Sequence, residues 1–241
     1  MPYRRQQSAG IPVISYDRMV NNANTDLYIS FDNRKVGEIM AQALVNALPQ
    51  GGDVFMIQGS SSDNNVQMVK QGLMICLQTQ ICMWFMKLTV MAGQQNWLPD
   101  MWRKPWKNIL MLRELCAEMM TLPVRVVQVL AENQLAGNVV VVGQDGDLAA
   151  CQRIVEGTQY MTAFKPIEDL ARKAAKYAVE MGSGKGVAEL EDVTETVNDG
   201  TYEIPSCILE PTAVTKENID KVIIEGGFHR RDEVYLNADY S

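Results

Sequence analysis

Asp17 and Arg18 stand together at the end of a short apolar run, Gly10-Ile11-Pro12-Val13-Ile14-Ser15-Tyr16, which is echoed by Tyr28-Ile29-Ser30-Phe31-Asp32-Asn33. A carboxylate accepts through two oxygens and a guanidinium donates through a planar fork, so the pair can satisfy several hydroxyls of one small polyol. The plainer reading is a loop salt bridge, which contributes little when exposed. Polar groups follow apolar runs at three more places. These are Asp63-Asn64-Asn65 after Asp53-Val54-Phe55-Met56-Ile57, Asp145 after Asn138-Val139-Val140-Val141-Val142, and Lys165 after residues 158–164. Capping the next helix accounts for one residue of the first cluster, and Asp147 is suited to cap the helix carrying Leu148. Asp145 is left without a structural duty. The single histidine, His229, lies in Phe228-His229-Arg230-Arg231-Asp232 and reads as a solvated surface residue, so acid–base catalysis has little to work with.

The elements that must carry these groups are legible as an alternation of strands and helices. The run ending at Tyr16 reads as a strand buried on both faces, and in open α/β sheets ligands sit at the carboxyl ends of strands. Val36, Ile39, Met40, Ala43, Leu44 and Ala47 recur at helical spacing, and Pro49-Gln50-Gly51-Gly52 ends that run. Residues 66–74 read as a second helix and 129–135 as another, stopped by Gly137. Pro166 opens an alanine-rich helix that stops at Gly182, residues 189–195 form an acidic connector, and 202–209 read as a strand. Thr215 is placed to cap a last helix through Ile219, Val222 and Ile223, terminated by Gly226-Gly227. Gly182-Ser183-Gly184-Lys185-Gly186 looks like a phosphate loop but fails as one. The Walker spacing needs glycine where Val179 stands, and the motif must precede a helix rather than follow it. The expected fold is α/β, with polar strand ends gathered in one pocket.

Composition narrows the function classes. A chain of 241 residues suits one large domain or two modest ones, and 47% hydrophobic content suffices for a core. A net charge of -7 argues against a nucleic-acid or anionic-membrane surface. No apolar run reaches the roughly 18 residues that a membrane span requires. Met1-Pro2-Tyr3-Arg4-Arg5 is basic but precedes no apolar segment and cleavage site, so no signal peptide is read there. The five cysteines, Cys76, Cys82, Cys116, Cys151 and Cys207, form no CxxC pair, and one histidine is too few for a Cys/His zinc site. With no nucleophile–base pair, metal cluster or cofactor loop, the sequence predicts a non-enzyme that needs neither metal nor cofactor.

Residues 75–127 differ in kind from their flanks. They hold all four tryptophans (Trp84, Trp97, Trp102, Trp106) and three of the five cysteines, but a single glycine, Gly93, and a single aspartate, Asp100. Basic residues outnumber acidic ones six to three, against the trend of the chain, and no helical or alternating period persists. The genetic code supplies an explanation. Read from the third base of each codon, Met83-Trp84-Phe85-Met86-Lys87 yields Val, Val, Tyr or His, then Glu. Met91-Ala92-Gly93 yields Gly followed by a codon that admits Trp. Met119 to Val124 forces Asp-Asp and permits Thr-Ala-Gly. The readings are thus true divergence, such as a tryptophan-rich binding insert, which should still show a periodic apolar face, and a reading-frame shift beginning near Met74 and corrected near Val127, which the permitted products favour.

The segments Gly10 to Arg18, Tyr28 to Asn33, Asp63-Asn64-Asn65, Gly143-Gln144-Asp145-Gly146-Asp147, Phe164-Lys165-Pro166 and Ile224-Glu225-Gly226-Gly227-Phe228-His229 resemble, in order, segments of the type I periplasmic sugar-binding family. The resemblance is to its D-xylose-binding members, substrate receptors of ABC importers, and covers about residues 8–74 and 127–236. It implies two Rossmann-like lobes with parallel sheets, the first incomplete, joined by a three-stranded hinge and closing on one pyranose. It assigns residues 1–32 and 164–196 to the amino-terminal lobe and 33–163 and 197–241 to the other, with 75–127 disturbed. Carried over by position, Asp17, Arg18, Asn65, Asp145 and Lys165 are the implied sugar ligands.

The implied partners are a monosaccharide (xylose or a related aldose) and a membrane ABC permease, with no nucleic acid, and the implied state is a monomer. Full-length members are periplasmic, or extracellular and lipid-anchored, whereas this chain starts well after the family's first β/α units. The family's stacking tryptophan and the Asn of its Asn-Asp-x-Thr-Ala-Gly-Gly segment belong inside the disturbed region, where the shifted frame permits Gly-Trp and Asp-Asp-Thr-Ala-Gly. As written, the chain is expected to bind sugar weakly or not at all and to be poorly soluble. The competing readings are a sugar-sensing effector domain of a repressor and a receptor that signals to a membrane sensor kinase.

Overall fold

The computed structural model describes residues 6, 8–50, 54–59, 63–80, 89–92, 109–111, 127–128 and 130–238. In chain order the elements are β1 (Ile14–Tyr16), β2 (Leu27–Phe31), α1 (Asn33–Ala47), β3 (Phe55–Gln58), α2 (Asn64–Gln80), β4 (Thr89–Ala92) and β5 (Ile109–Met111). They continue with β6 (Val141–Gln144), α3 (Leu148–Glu156), β7 (Met161–Phe164), α4 (Ile167–Gly182), β8 (Glu195–Asn198), β9 (Glu203–Leu209), β10 (Thr212–Thr215) and α5 (Arg231–Val234). The chain divides into unit 1, Met1–Asp32 with Pro166–Pro211, and unit 2, Asn33–Lys165 with Thr212–Ser241. It therefore passes between units after Asp32, after Lys165 and after Pro211. Residues 197–211, which the sequence assigns to the second lobe, group with unit 1. The reason is a strand pairing: β9 lies parallel to β2, with Ile29 opposite Cys207.

Unit 1 is built on a sheet of order β1-β2-β9-β8, in which β1, β2 and β9 are parallel and β8 is antiparallel to β9. All five residues of β2 are buried. Leu27, Ile29 and Phe31 pack with Cys207 against Leu170, Tyr177 and Met181 of α4. α4 starts directly after Pro166 and carries Glu168 and Asp169 in its first turn, where negative charge complements the helix dipole. The expectation that the strand ending at Tyr16 is covered on both faces is corrected. β1 lies at the end of the sheet order, Tyr16 is 47% exposed, and the doubly buried strand is its echo, β2. The stretch 189–195, read as a connector, ends by entering β8, whose mostly exposed residues carry no alternating pattern to announce a strand.

Unit 2 contains a sheet of order β10-β7-β6-β5-β3-β4, parallel except for β10. β4, β3, β5, β6 and β7 are wound so that the order reverses between β3 and β5, the switch point beside which α/β proteins hold ligands. On one face Val36, Met40, Ala41 and Leu44 of α1 and Val69, Leu73 and Leu77 of α2 pack on Met56, Val142, Met161 and Ala163. On the other, Cys151, Ile154 and Val155 of α3 pack with Phe164, Val214, Ile219, Ile223 and Val234. α1 and α2 approach backbone to backbone. A Cβ on Gly37 would lie 2.0 Å from the Val69 carbonyl oxygen, and one on Gly72 would lie 1.9 Å from that of Arg34.

Thr215, read as a helix cap, ends β10, and the helical turn beyond it is π-type, Asp220–Ile224. Parts of 75–127 nonetheless take regular places: α2 runs on through Gln80, and β4 and β5 both pair in parallel with β3. Ladder hydrogen bonds join backbone groups, so a sheet position constrains side-chain identity only loosely. Trp84, Trp97, Trp102 and Trp106 lie outside the described residues. No helix among the described residues is long and apolar enough to cross a membrane.

Candidate functional site

β6 and β7 are parallel neighbours, so their carboxyl ends bring Asp145 and Lys165 together. Lys165 Nζ lies 3.1 Å from Asp145 Oδ1, and the two side chains are 12% and 13% exposed. Asp145 Oδ2 is buried with no hydrogen-bond partner among the described residues, and the same is true of Oε1 of the preceding residue, Gln144. A buried acceptor left this way costs about 1–3 kcal/mol. A hydroxyl donor would remove that cost, which makes this strand end chemically fitted to a polyol.

The loop carrying Asp145 is tightly held. A Cβ on Gly146 would meet Phe164 Cδ2 at 2.6 Å, and Phe228 lies edge-on to Phe164 with ring centroids 4.8 Å apart. His229 Nε2 is 2.6 Å from the Gly146 carbonyl oxygen. A carbonyl only accepts, so the ring donates from its Nε2–H tautomer. This corrects the sequence reading: His229 is half-buried and fastens the Asp145 loop rather than lying free on a solvated surface. The Cys151 thiol donates to the same carbonyl at 3.7 Å. Burial, reinforced by the nearby Asp147 charge, pushes that thiol up to about 12, so it stays protonated and serves as a donor, not a nucleophile. Asp147 occupies the N-cap position of α3 with extended backbone but makes no side-chain capping hydrogen bond, a second correction.

Asn65 is buried in the first turn of α2, after β3. Its N–H donates to Asp63 Oδ1 at 3.0 Å, so the capping duty in the 63–65 cluster falls to Asp63. β5 alone separates β3 from β6 in the sheet. The carboxyl ends of β3 and β6, which Asn65 and Asp145 follow in the chain, thus lie at the same end of one sheet two strand spacings apart, about 10 Å.

In unit 1, Arg18 Nη1 donates to Asp17 Oδ2 at 3.0 Å, with side chains 40% and 30% exposed, which is the loop salt bridge that the plainer reading expects. The following loop is anchored by Asp199, a carboxylate 1% exposed. Its Oδ2 accepts the N–H groups of Ala23 and Asn24, both at 2.9 Å, and its Oδ1 those of Thr201 at 2.9 Å and Tyr202 at 2.8 Å. Burial pushes this carboxyl up, but the four N–H donors outweigh it and hold it below the usual aspartate value. Asp199 escaped the sequence reading and His229 was misread because each acts on a loop far away in the chain. A groove of about 410 Å³ runs along α1 and α2, lined by Lys35, Glu38, Ile39, Gln42, Ile75 and Cys76, and none of the five expected ligands lines it.

Two α/β units linked by three chain passages, each with charged groups at the carboxyl ends of parallel strands, define a small-molecule-binding protein of the two-unit Rossmann-like class. A family model described as a periplasmic binding protein domain matches residues 4–186, and the chain belongs to that family. It is 37% identical over 231 residues to a D-xylose-binding periplasmic protein of Haemophilus influenzae, covering 94% of this chain and 68% of that one. To the D-xylose-binding periplasmic protein of Escherichia coli it is 38% identical over 236 residues, covering 96% and 70%. A multiple sugar-binding periplasmic receptor of Rhizobium radiobacter is 31% identical over 256 residues, covering 96% and 71%. Among solved structures, a carbohydrate transporter solute-binding protein of Chloroflexus aurantiacus, in complex with D-glucose, shares the fold with a TM-score of 0.78 at 23% identity, covering 96% and 76%.

Proposed function

We propose that this protein is the substrate-binding component of an ABC sugar importer, taking a monosaccharide, D-xylose or a closely related aldose, and delivering it to a membrane permease. Asp17 and Arg18 from unit 1 and Asn65, Asp145 and Lys165 from unit 2 are its sugar ligands, and it works as a monomer in the periplasm or at the outer cell surface. The observation that carries this reading is the buried Asp145–Lys165 pair at a strand end, with one carboxylate oxygen committed to the ammonium and the other an acceptor without a protein donor among the described residues. The similarity to two D-xylose-binding periplasmic proteins supports it and favours xylose. Carboxylates accept from sugar hydroxyls, cations donate to them and an amide does both, so a sugar lacking one hydroxyl leaves a buried group unpaired and is rejected.

Residues 75–127 are read as frame-shifted coding sequence, which removes aromatic and amide groups that the family places there. The test is calorimetric titration with D-xylose, D-glucose and L-arabinose of this chain and of a full-length form in which the frame is restored. Binding of D-xylose by the restored form, with little or none by the chain as written, is the expected result. No sugar binding by the restored form overturns the reading, and an unshifted nucleotide sequence shared with close relatives overturns the frame-shift.

A further inference from the structure

Asp17 and Asp145, in different units, are built alike. Each follows the last residue of a parallel strand, Tyr16 of β1 or Gln144 of β6, and that residue is paired with Ile29 or Ala163 of the neighbouring strand. Each then turns into the left-handed region, with φ of 60° and 69°, which aspartate tolerates better than most residues but which still needs support. Each donates its N–H to the carbonyl of that paired residue, Ile29 at 2.8 Å and Ala163 at 2.9 Å. Each also has its own carbonyl held by hydroxyls of the neighbouring strand. Asp17 accepts from Ser30 Oγ at 2.8 Å and Tyr28 OH at 3.1 Å, and Asp145 accepts from Thr162 Oγ1 at 2.6 Å. Ser30 and Thr162 are wholly buried and Tyr28 is 1% exposed.

The geometric consequence is specific. The N–H belongs to the peptide plane before Cα and the carbonyl to the plane after it. Pinning both planes fixes the direction of the Cα–Cβ bond, and with it the origin of the carboxylate. Unit 1 uses a serine and a tyrosine and unit 2 a threonine, so the two units reach one device with different residues.

We infer that Thr162 in unit 2, and Ser30 with Tyr28 in unit 1, are positioning residues for ligand recognition, their buried hydroxyls locking the Asp145 and Asp17 turns so that each carboxylate meets a sugar hydroxyl in one orientation. The inference rests on the sugar-binding reading above. A pinned carboxylate cannot follow a displaced hydroxyl, so these hydroxyls sharpen discrimination between epimers as well as affinity.

The test compares Thr162→Val, which keeps the shape and removes the donor, with Thr162→Ser, which keeps the donor. Amide hydrogen exchange at Asp145 in the 241-residue chain needs no sugar. It is expected to accelerate tenfold or more in Thr162→Val and to return to the wild-type rate in Thr162→Ser, while amides of α4 and β9 are unchanged. Titration of the frame-restored form with D-xylose and D-glucose is expected to show a tenfold or greater loss of affinity and a narrowed xylose-to-glucose preference in Thr162→Val alone. An Asp145 amide indifferent to Thr162→Val, or a Thr162→Ser variant as impaired as Thr162→Val, overturns the positioning role. So does wild-type affinity in Thr162→Val when the parent binds sugar. A parent that binds no sugar overturns the functional reading itself, and the exchange data tell the two failures apart.

Discussion

The two aspartate turns share a backbone geometry but not a setting. Asp145 follows a strand with neighbours on both sides, in a sheet covered by α1 and α2 on one face and by α3 and the carboxyl-terminal segment on the other. Phe164, Phe228 and His229 close on the loop behind it, and its ion pair with Lys165 is mostly buried. Asp17 follows a strand at the end of the sheet order, its ion pair with Arg18 is considerably more exposed, and the loop beyond depends on one remote carboxylate, Asp199. Beyond the hydrogen bonds that both turns share, packed aromatic rings back the Asp145 loop, whereas the loop after Asp17 is tied to a single buried charge. The α1–α2 packing of unit 2 should therefore fail when overpacked, and the loop after Asp17 should loosen when Asp199 is protonated.

Overpacking unit 2 is the hardest test of that contrast. Gly72→Ala places a methyl group against the Arg34 backbone, which cannot rotate away, and is expected to destabilise unit 2 by about 3 kcal/mol. Denaturant unfolding followed by hydrogen exchange should lose protection in α1 and α2 while α4 keeps its own. A comparable loss in unit 1 would break the comparison. Removing the anchor in unit 1 comes next. Asp199→Ala withdraws acceptors from four N–H groups and is expected to cost about 2 kcal/mol, read as a lower unfolding midpoint with lost protection at residues 22–25.

The Asp199 effect also has a defined pH dependence. Because the folded carboxyl titrates below its unfolded value, its stabilisation is fully present above the ordinary aspartate range, near pH 4, and is lost as pH falls through the lower folded value. The wild-type acid limb should therefore be steeper than that of Asp199→Ala. In ligand binding, Asp145→Asn is expected to weaken D-xylose affinity of the frame-restored form about tenfold. Asp17→Asn should weaken it less, since its more exposed site lets water compensate. Equal losses would show that exposure does not separate the two turns. At the small end, Lys176→Ala removes the exposed ion pair with Glu191 and should leave the unfolding midpoint unchanged.

The features legible in the sequence were those written locally. α4 begins after Pro166 and ends at Gly182, both signals lying within the residues they delimit, and Asp63 caps α2 from the adjacent position. What failed was written across the chain. Whether the strand ending at Tyr16 is central or terminal depends on which strand lies beside it, and that neighbour is set by pairing rather than by composition. β10 was hidden because Thr212–Thr215 owes its strand state to antiparallel pairing with β7, some fifty residues earlier. Asp17, Arg18, Asp145 and Lys165 could be placed at strand ends because an apolar run followed by a polar residue is a local pattern, whereas Asn65 lies in the first turn of α2. The hydroxyls of Thr162 and Ser30 could not be connected to them, since only the register of β7 with β6 and of β2 with β1 brings each to its aspartate.

Lys165 closes unit 2 and Pro166 opens unit 1, so a charged group proposed as a sugar ligand sits one covalent link from a passage between units. The proline ring leaves that link few torsions with which to absorb a disturbance. Ile167, the next residue, is 54% exposed. A dye attached there would report optically on events at the ammonium, which makes this position a practical starting point for a fluorescent sugar sensor.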